Sequence, residues 1–207
     1  MSGPAGTRRG ITRGTFLVRA SLGAGFAYGA AAAGPALARA LAHEGHGGFA
    51  GGDLAIANFA LTLERVQGAF YQEALKADGL SADAKKLLET IAGHEDAHAK
   101  QLTQTIQQLG GKADPAPKTS FPDLSGDEAV LVFATRLEDS AVSAYDGAAS
   151  QIQSKDLLTA AASIAQVEAR HAGALRQLTG ASPAAGPFDR VFSGEEADAA
   201  VHRLTGG

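Results

Sequence analysis

The stretch Ile91-Ala92-Gly93-His94-Glu95-Asp96-Ala97-His98-Ala99-Lys100-Gln101-Leu102 decides the fold, because it is written twice. It returns as Ile164-Ala165-Gln166-Val167-Glu168-Ala169-Arg170-His171-Ala172-Gly173-Ala174-Leu175, at an offset of 73. In the first copy Leu88, Ile91, Glu95, His98 and Leu102 step by three and four, the spacing of one helix face. That face is otherwise apolar. Each copy therefore carries a Glu and a His inward, one turn apart, among residues that belong in a core.

A second pair of segments repeats ahead of these. Phe59-Ala60-x-x-Leu63-Glu64-x6-Tyr71 recurs as Phe133-Ala134-x-x-Leu137-Glu138-x6-Tyr145, at an offset of 74. The chain thus holds two related helix pairs, each with a Glu, a Tyr seven residues later, and then Glu-x-x-His. Apolar periodicity predicts helices from about Asp53 (as N-cap) to Lys76, Ser81 to Leu109, Ser125 to Gln153 and Asp156 to Leu178. Helices of this size are roughly 35–44 Å long and bury their stripes against one another. Residues 110–124 hold Pro115, Pro117 and Pro122 and read as a crossover linker. The expected architecture is all-α: a four-helix bundle over residues 53–178, followed by a C-terminal extension, 179–207, with a short helix near 193–204.

The six interior polar residues ask for a cation. Four carboxylates converging between helices repel one another, and unpaired burial would raise their pKa values or open the site. No Lys or Arg lies on the four stripes. Arg65, Arg136 and Arg170 fall on neighbouring faces. Two divalent ions would balance four carboxylates, and mixed carboxylate and imidazole ligands suit Fe, Mn or Zn. Six protein ligands shared by two metals leave coordination positions open for O2, peroxide or water.

With these motifs in place, residues 53–178 resemble the ferritin-like superfamily, and within it the exported bacterial ferritin-like proteins related to desiccation-associated proteins. The resemblance implies a di-metal site with Glu64 and Glu138 as terminal ligands, Glu95 and Glu168 as bridges, and His98 and His171 on one metal each. It also implies that Tyr71 and Tyr145 hydrogen-bond ligand carboxylates of the opposite half. On periodicity alone each tyrosine reads equally well as a core aromatic with its hydroxyl at the bundle edge. The family implies two iron ions, with two manganese ions as the alternative, and O2 or H2O2 as substrate. The corresponding activities are iron oxidation, peroxide reaction in oxidative stress, or manganese-catalase chemistry. A stress-protective metal-binding protein without turnover is the non-enzymatic alternative.

Composition narrows the remaining classes. Cysteine and tryptophan are absent and Met1 is the only methionine, which excludes disulfides, iron–sulfur clusters and thiol nucleophiles. Residues 1–42 contain five arginines and no acid, then the uncharged stretch 20–38 and several Ala-x-Ala sites. That is the pattern of a cleaved export signal. Thr12-Arg13-Gly14-Thr15-Phe16-Leu17 resembles a twin-arginine motif in which Gly14 stands where the second Arg belongs. Residues 43–52 read as a flexible mature N-terminus, in the periplasm or outside the cell. Removing the signal takes the formal charge from −4 to −9, which disfavours nucleic acid and anionic membrane as partners. No membrane anchor is expected after cleavage, and a homo-oligomer is compatible with the fold.

One rival motif overlaps the site. His94-Glu95-Asp96-Ala97-His98 also spells H-E-x-x-H, the helix of zinc proteases. That reading leaves the second Glu-x-x-His unused, and Val167 stands at the repeat equivalent of His94. No strands are expected that would form a protease lobe.

Overall fold

The structure is a computed structural model that describes residues 51–122 and 124–205. The expected export signal, and nearly all of the tail at 43–52, lie outside the described residues. Four long helices and one short one form: α1 Gly52–Ala74, α2 Ala82–Gln108, α3 Gly126–Ala149, α4 Lys155–Leu178 and α5 Gly194–Thr205. Among the described residues there is no strand, and no helix is long and apolar enough to cross a membrane.

Helix starts are set by side chains that satisfy the free N–H groups of the first turn. Ser81 Oγ accepts from the Ala84 N–H at 3.2 Å, and Ser154 Oγ accepts from the Leu157 N–H at 3.3 Å. Asp53 departs from expectation. Gly51, at φ 111°, occupies the N-cap of α1, where a Cβ would sit 2.8 Å from that of Ala55. Asp53 instead lies in the first turn, and its carboxylate accepts from the N–H groups of Gln153 at 2.8 Å and Ser154 at 2.6 Å. α3 stops at Ala149 rather than running to Gln153, whose N–H is bound to Asp53 instead of to a helical carbonyl. The other half repeats the device: Asp127, in the first turn of α3, accepts from the Ser81 N–H at 2.8 Å. α1 and α3 thus each hold the start of an even helix in the opposite half.

The packing joins α1 to α2 and α3 to α4 as hairpins, and α1·α3 and α2·α4 contacts close the bundle. Ile56, Val66, Phe70, Leu88, Ile91, Leu131 and Leu175 are buried along the inner stripes. Full burial of such a side chain is worth about 1.5–3 kcal/mol, so the apolar stripes account for most of the favourable energy of folding. The linker is tied down along its length. Asn58 Oδ1 accepts from the Asp114 N–H at 2.8 Å, Arg65 donates to the Asp114 carbonyl, and Phe121 meets Phe70 edge-on at 5.5 Å.

The C-terminal extension returns to α3. The Phe192 N–H donates to the Ser143 carbonyl at 3.0 Å. Contact this close needs Gly147, since a Cβ there would lie 1.9 Å from the Phe192 carbonyl oxygen. From that anchor α5 packs on α3 and α1, with Ala197 and Val201 buried.

Candidate metal centre

The periodicity that fills the core also places six ligand-type side chains at mid-bundle. Glu64 on α1, Glu95 on α2, Glu138 on α3 and Glu168 on α4 are all fully buried, and His171 is 5% exposed. Two four-residue groups have ligand atoms within 4.8 Å of one another: Glu64, Glu95, His98 and Glu168, and Glu95, Glu138, Glu168 and His171. The groups share Glu95 and Glu168. All six residues singled out by their spacing meet here.

The contacts around the imidazoles are those of cations, not of ordinary hydrogen-bond donors. His98 Nδ1 lies 3.0 Å from Glu168 Oε1, 3.1 Å from Glu64 Oε2 and 3.5 Å from Glu95 Oε2. His171 Nδ1 lies 3.2 Å from both Glu95 Oε1 and Glu138 Oε2, and 3.8 Å from Glu168 Oε2. A single N–H cannot satisfy three acceptors at once. Accordingly both oxygens of Glu95, together with Glu168 Oε1, are buried without a hydrogen bond, although each lies at ion-pair distance from an imidazole. Buried carboxylate oxygens are rarely left so. Divalent ions among these oxygens and the two Nδ1 atoms would meet the need, so the residues fit a pair of metals.

Electrostatics carries the same sign. Burial pushes the Glu64 and Glu138 carboxyls well above the usual range, with repulsion from neighbouring glutamates adding to it. Burial opposes the charge on Glu168 as well, but the close approach of Glu138, His171 and His98 outweighs it and holds its pKa low. Burial also disfavours the charged imidazoles. The close approach of the surrounding glutamates prevails, lifting His98 to about 12 and His171 to about 11. The two imidazoles are the nearest basic groups to these carboxylates.

The two tyrosines reach across the repeat. The Tyr71 hydroxyl donates to Glu138 Oε1, and the Tyr145 hydroxyl donates to Glu64 Oε1. Burial, followed by the facing glutamate, raises both phenol pKa values, so both remain donors. Each fixes the carboxylate of the opposite half.

Periodicity did not single out Gln67. It is fully buried, and its Nε2 donates to Glu168 Oε2 at 2.9 Å and to Glu138 Oε2 at 3.3 Å. The available signal was an amide on the stripe of Ala60, Glu64 and Tyr71, where the repeat has Ala141. His94 joins neither ligand group. It is exposed, and its Nδ1 meets His171 Nε2 at 2.9 Å. The zinc-protease reading therefore lacks its first ligand and, among the described residues, a sheet.

Comparison with known proteins bears on the fold. Solved structures that share the fold include two with the following overlap. One is the dodecameric thioferritin, a bacterioferritin-related protein from Bacteroides fragilis, at 21% identity and a TM-score of 0.57, covering 61% of this chain and 84% of that one. The other is a conserved hypothetical protein from Mycobacterium tuberculosis, at 16% identity and a TM-score of 0.56, covering 67% of this chain and 94% of that one. No curated protein matches. A family model for the ferritin-like domain matches residues 52–181, the span of the bundle and its buried carboxylate–histidine cluster, and the chain belongs to that family.

Proposed function

We propose that this chain is an exported di-iron carboxylate protein that reacts with O2 or peroxide and oxidises Fe(II). The observation that carries the reading is Glu95, whose two buried oxygens lack hydrogen bonds at the junction of the two ligand groups. In that role Glu95 and Glu168, common to both ligand groups, would hold the ions together with Glu64, Glu138, His98 and His171. When bound, a pair of iron ions supplies two electrons, enough to reduce O2 with two protons to hydrogen peroxide.

The protein's part is positional. The four carboxylates neutralise the metal charge, and their burial keeps bulk water from the site. Tyr71 and Tyr145 hold Glu138 and Glu64 in place. Export rests on the composition of residues 1–42. Assembly into a homo-oligomer is compatible with the fold, since the thioferritin of the same fold is dodecameric.

Metal analysis of the purified protein tests the reading, together with Fe(II)-dependent O2 consumption and H2O2 loss. Two bound irons and a ferric absorption change on adding Fe(II) in air are expected, and Glu95→Gln with Glu168→Gln should abolish both. Two bound manganese ions with rapid H2O2 disproportionation would replace iron by manganese in the same site. Absence of stoichiometric metal with no spectral change would refute the proposal.

A further inference from the structure

The two ligand groups differ in what stands behind them, and both differences fall on the same half of the site. On the Glu138–His171 side, Gln67 donates to Glu168 Oε2 at 2.9 Å and to Glu138 Oε2 at 3.3 Å. On the same side His94 Nδ1 shares a hydrogen bond of 2.9 Å with His171 Nε2, the ring nitrogen facing away from the carboxylates, with the rings 12° from parallel. The repeat supplies no counterpart on the Glu64–His98 side. The equivalent of Gln67 is Ala141, that of His94 is Val167, and among the described residues every polar contact of His98 is made through Nδ1. Gln67 Oε1 is moreover buried without a partner.

An outer hydrogen bond to a ligating imidazole fixes its ring orientation and raises its basicity, and a donor to a carboxylate fixes its rotamer. Ligands already held in place lose less freedom when an ion arrives. The tyrosines do not distinguish the halves, since each half receives one.

We propose that the two metal positions are inequivalent: Gln67 and His94 preorganise the position bounded by Glu138 and His171, and it fills first. The inference rests on the di-metal reading and goes beyond it by ordering the two positions. Gln67 and His94 are positioning residues, since they act through Glu138, Glu168 and His171.

The test is a Mn(II) titration of the full chain after removal of metal with a chelator, reading free Mn(II) by its EPR signal. Two binding steps are expected, with dissociation constants about tenfold or more apart. Crystals grown with one equivalent of Mn(II) should show anomalous scattering at the Glu138–His171 position. The double variant Gln67→Ala/His94→Val copies the other half, and it should close the gap while still binding two ions. His94→Val alone changes an exposed position. It should weaken the first step about tenfold and leave the second step unchanged, an outcome that a general loss of stability, which would weaken both steps, would not produce. Two equal steps in the wild type, or an unchanged gap in either variant, would overturn the ordering and leave the di-metal reading standing. No Mn(II) binding at all would overturn both.

Discussion

Replacing Glu95 by Leu should make the metal-free protein more stable while destroying its capacity for metal. Both Glu95 oxygens are fully buried and lack hydrogen bonds. A buried polar group left in that state costs about 1–3 kcal/mol, a cost that an apolar side chain of similar volume removes. The change should not strand the imidazoles. His98 keeps Glu64 and Glu168 within 3.1 Å, and His171 keeps Glu138 at 3.2 Å. A net gain of about 2 kcal/mol is therefore expected, which for a domain of this size raises the melting temperature by roughly 4–8 °C. The assay is thermal unfolding of both proteins, with EDTA and with Mn(II). Wild type should gain about 2.7 kcal/mol per occupied position when the free ion is at a hundred times its dissociation constant. The variant should gain nothing, so the order of stabilities reverses on adding metal. A metal-free variant less stable than wild type would refute the claim that the cluster stores unfavourable energy for an ion to relieve.

Tyr71→Phe deletes the donor to Glu138; metal stoichiometry should stay at two while affinity at the Glu138 position falls about 10–100-fold, read by competition with a chromophoric chelator. The hydrogen bonds from Ser81 hold the Asp127 pKa below its ordinary value. A depressed pKa stabilises the fold above the unfolded value and loses that contribution as pH falls through the folded one. Stability measured by urea titration should thus fall on acidification below about pH 4, and Asp127→Asn should flatten that part of the profile. Gly147→Ala places a methyl against the Phe192 carbonyl and should destabilise the fold by about 1–3 kcal/mol. Limited proteolysis should then cut first between residues 179 and 193, where the extension has lost its anchor.

Much of the bundle can be read from spacing because buried helices repeat their contacts every three or four residues. Glu64, Glu95, His98, Glu138, Glu168 and His171 stand out because charge interrupts an apolar stripe, a conflict that only a shared ligand resolves. Gln67 escapes the same logic. A neutral amide on a stripe carries no such conflict, and its partners lie 71 and 101 residues away. Asp53 fails for a related reason. Local pattern makes it the cap of its own helix, whereas its acceptor geometry serves N–H groups about a hundred residues later. Hydrophobic periodicity is a property of one helix; polar partners chosen across helices are not.

The crossed aspartates have a consequence for ancestry. Asp53 serves Ser154 and Asp127 serves Ser81, as Tyr71 serves Glu138 and Tyr145 serves Glu64. Every one of these bonds runs from one helix pair to the other, as in an isologous dimer, where each subunit gives what it receives. Two identical half-length chains could form that dimer, but each substitution would then appear at both positions at once. Once the halves are fused by residues 110–124, each copy changes alone, and one side can hold Gln67 and His94 while the other keeps Ala141 and Val167. The linker supplies no ligand to the centre. What it confers is the freedom for the two ligand groups to differ in the side chains that stand behind them.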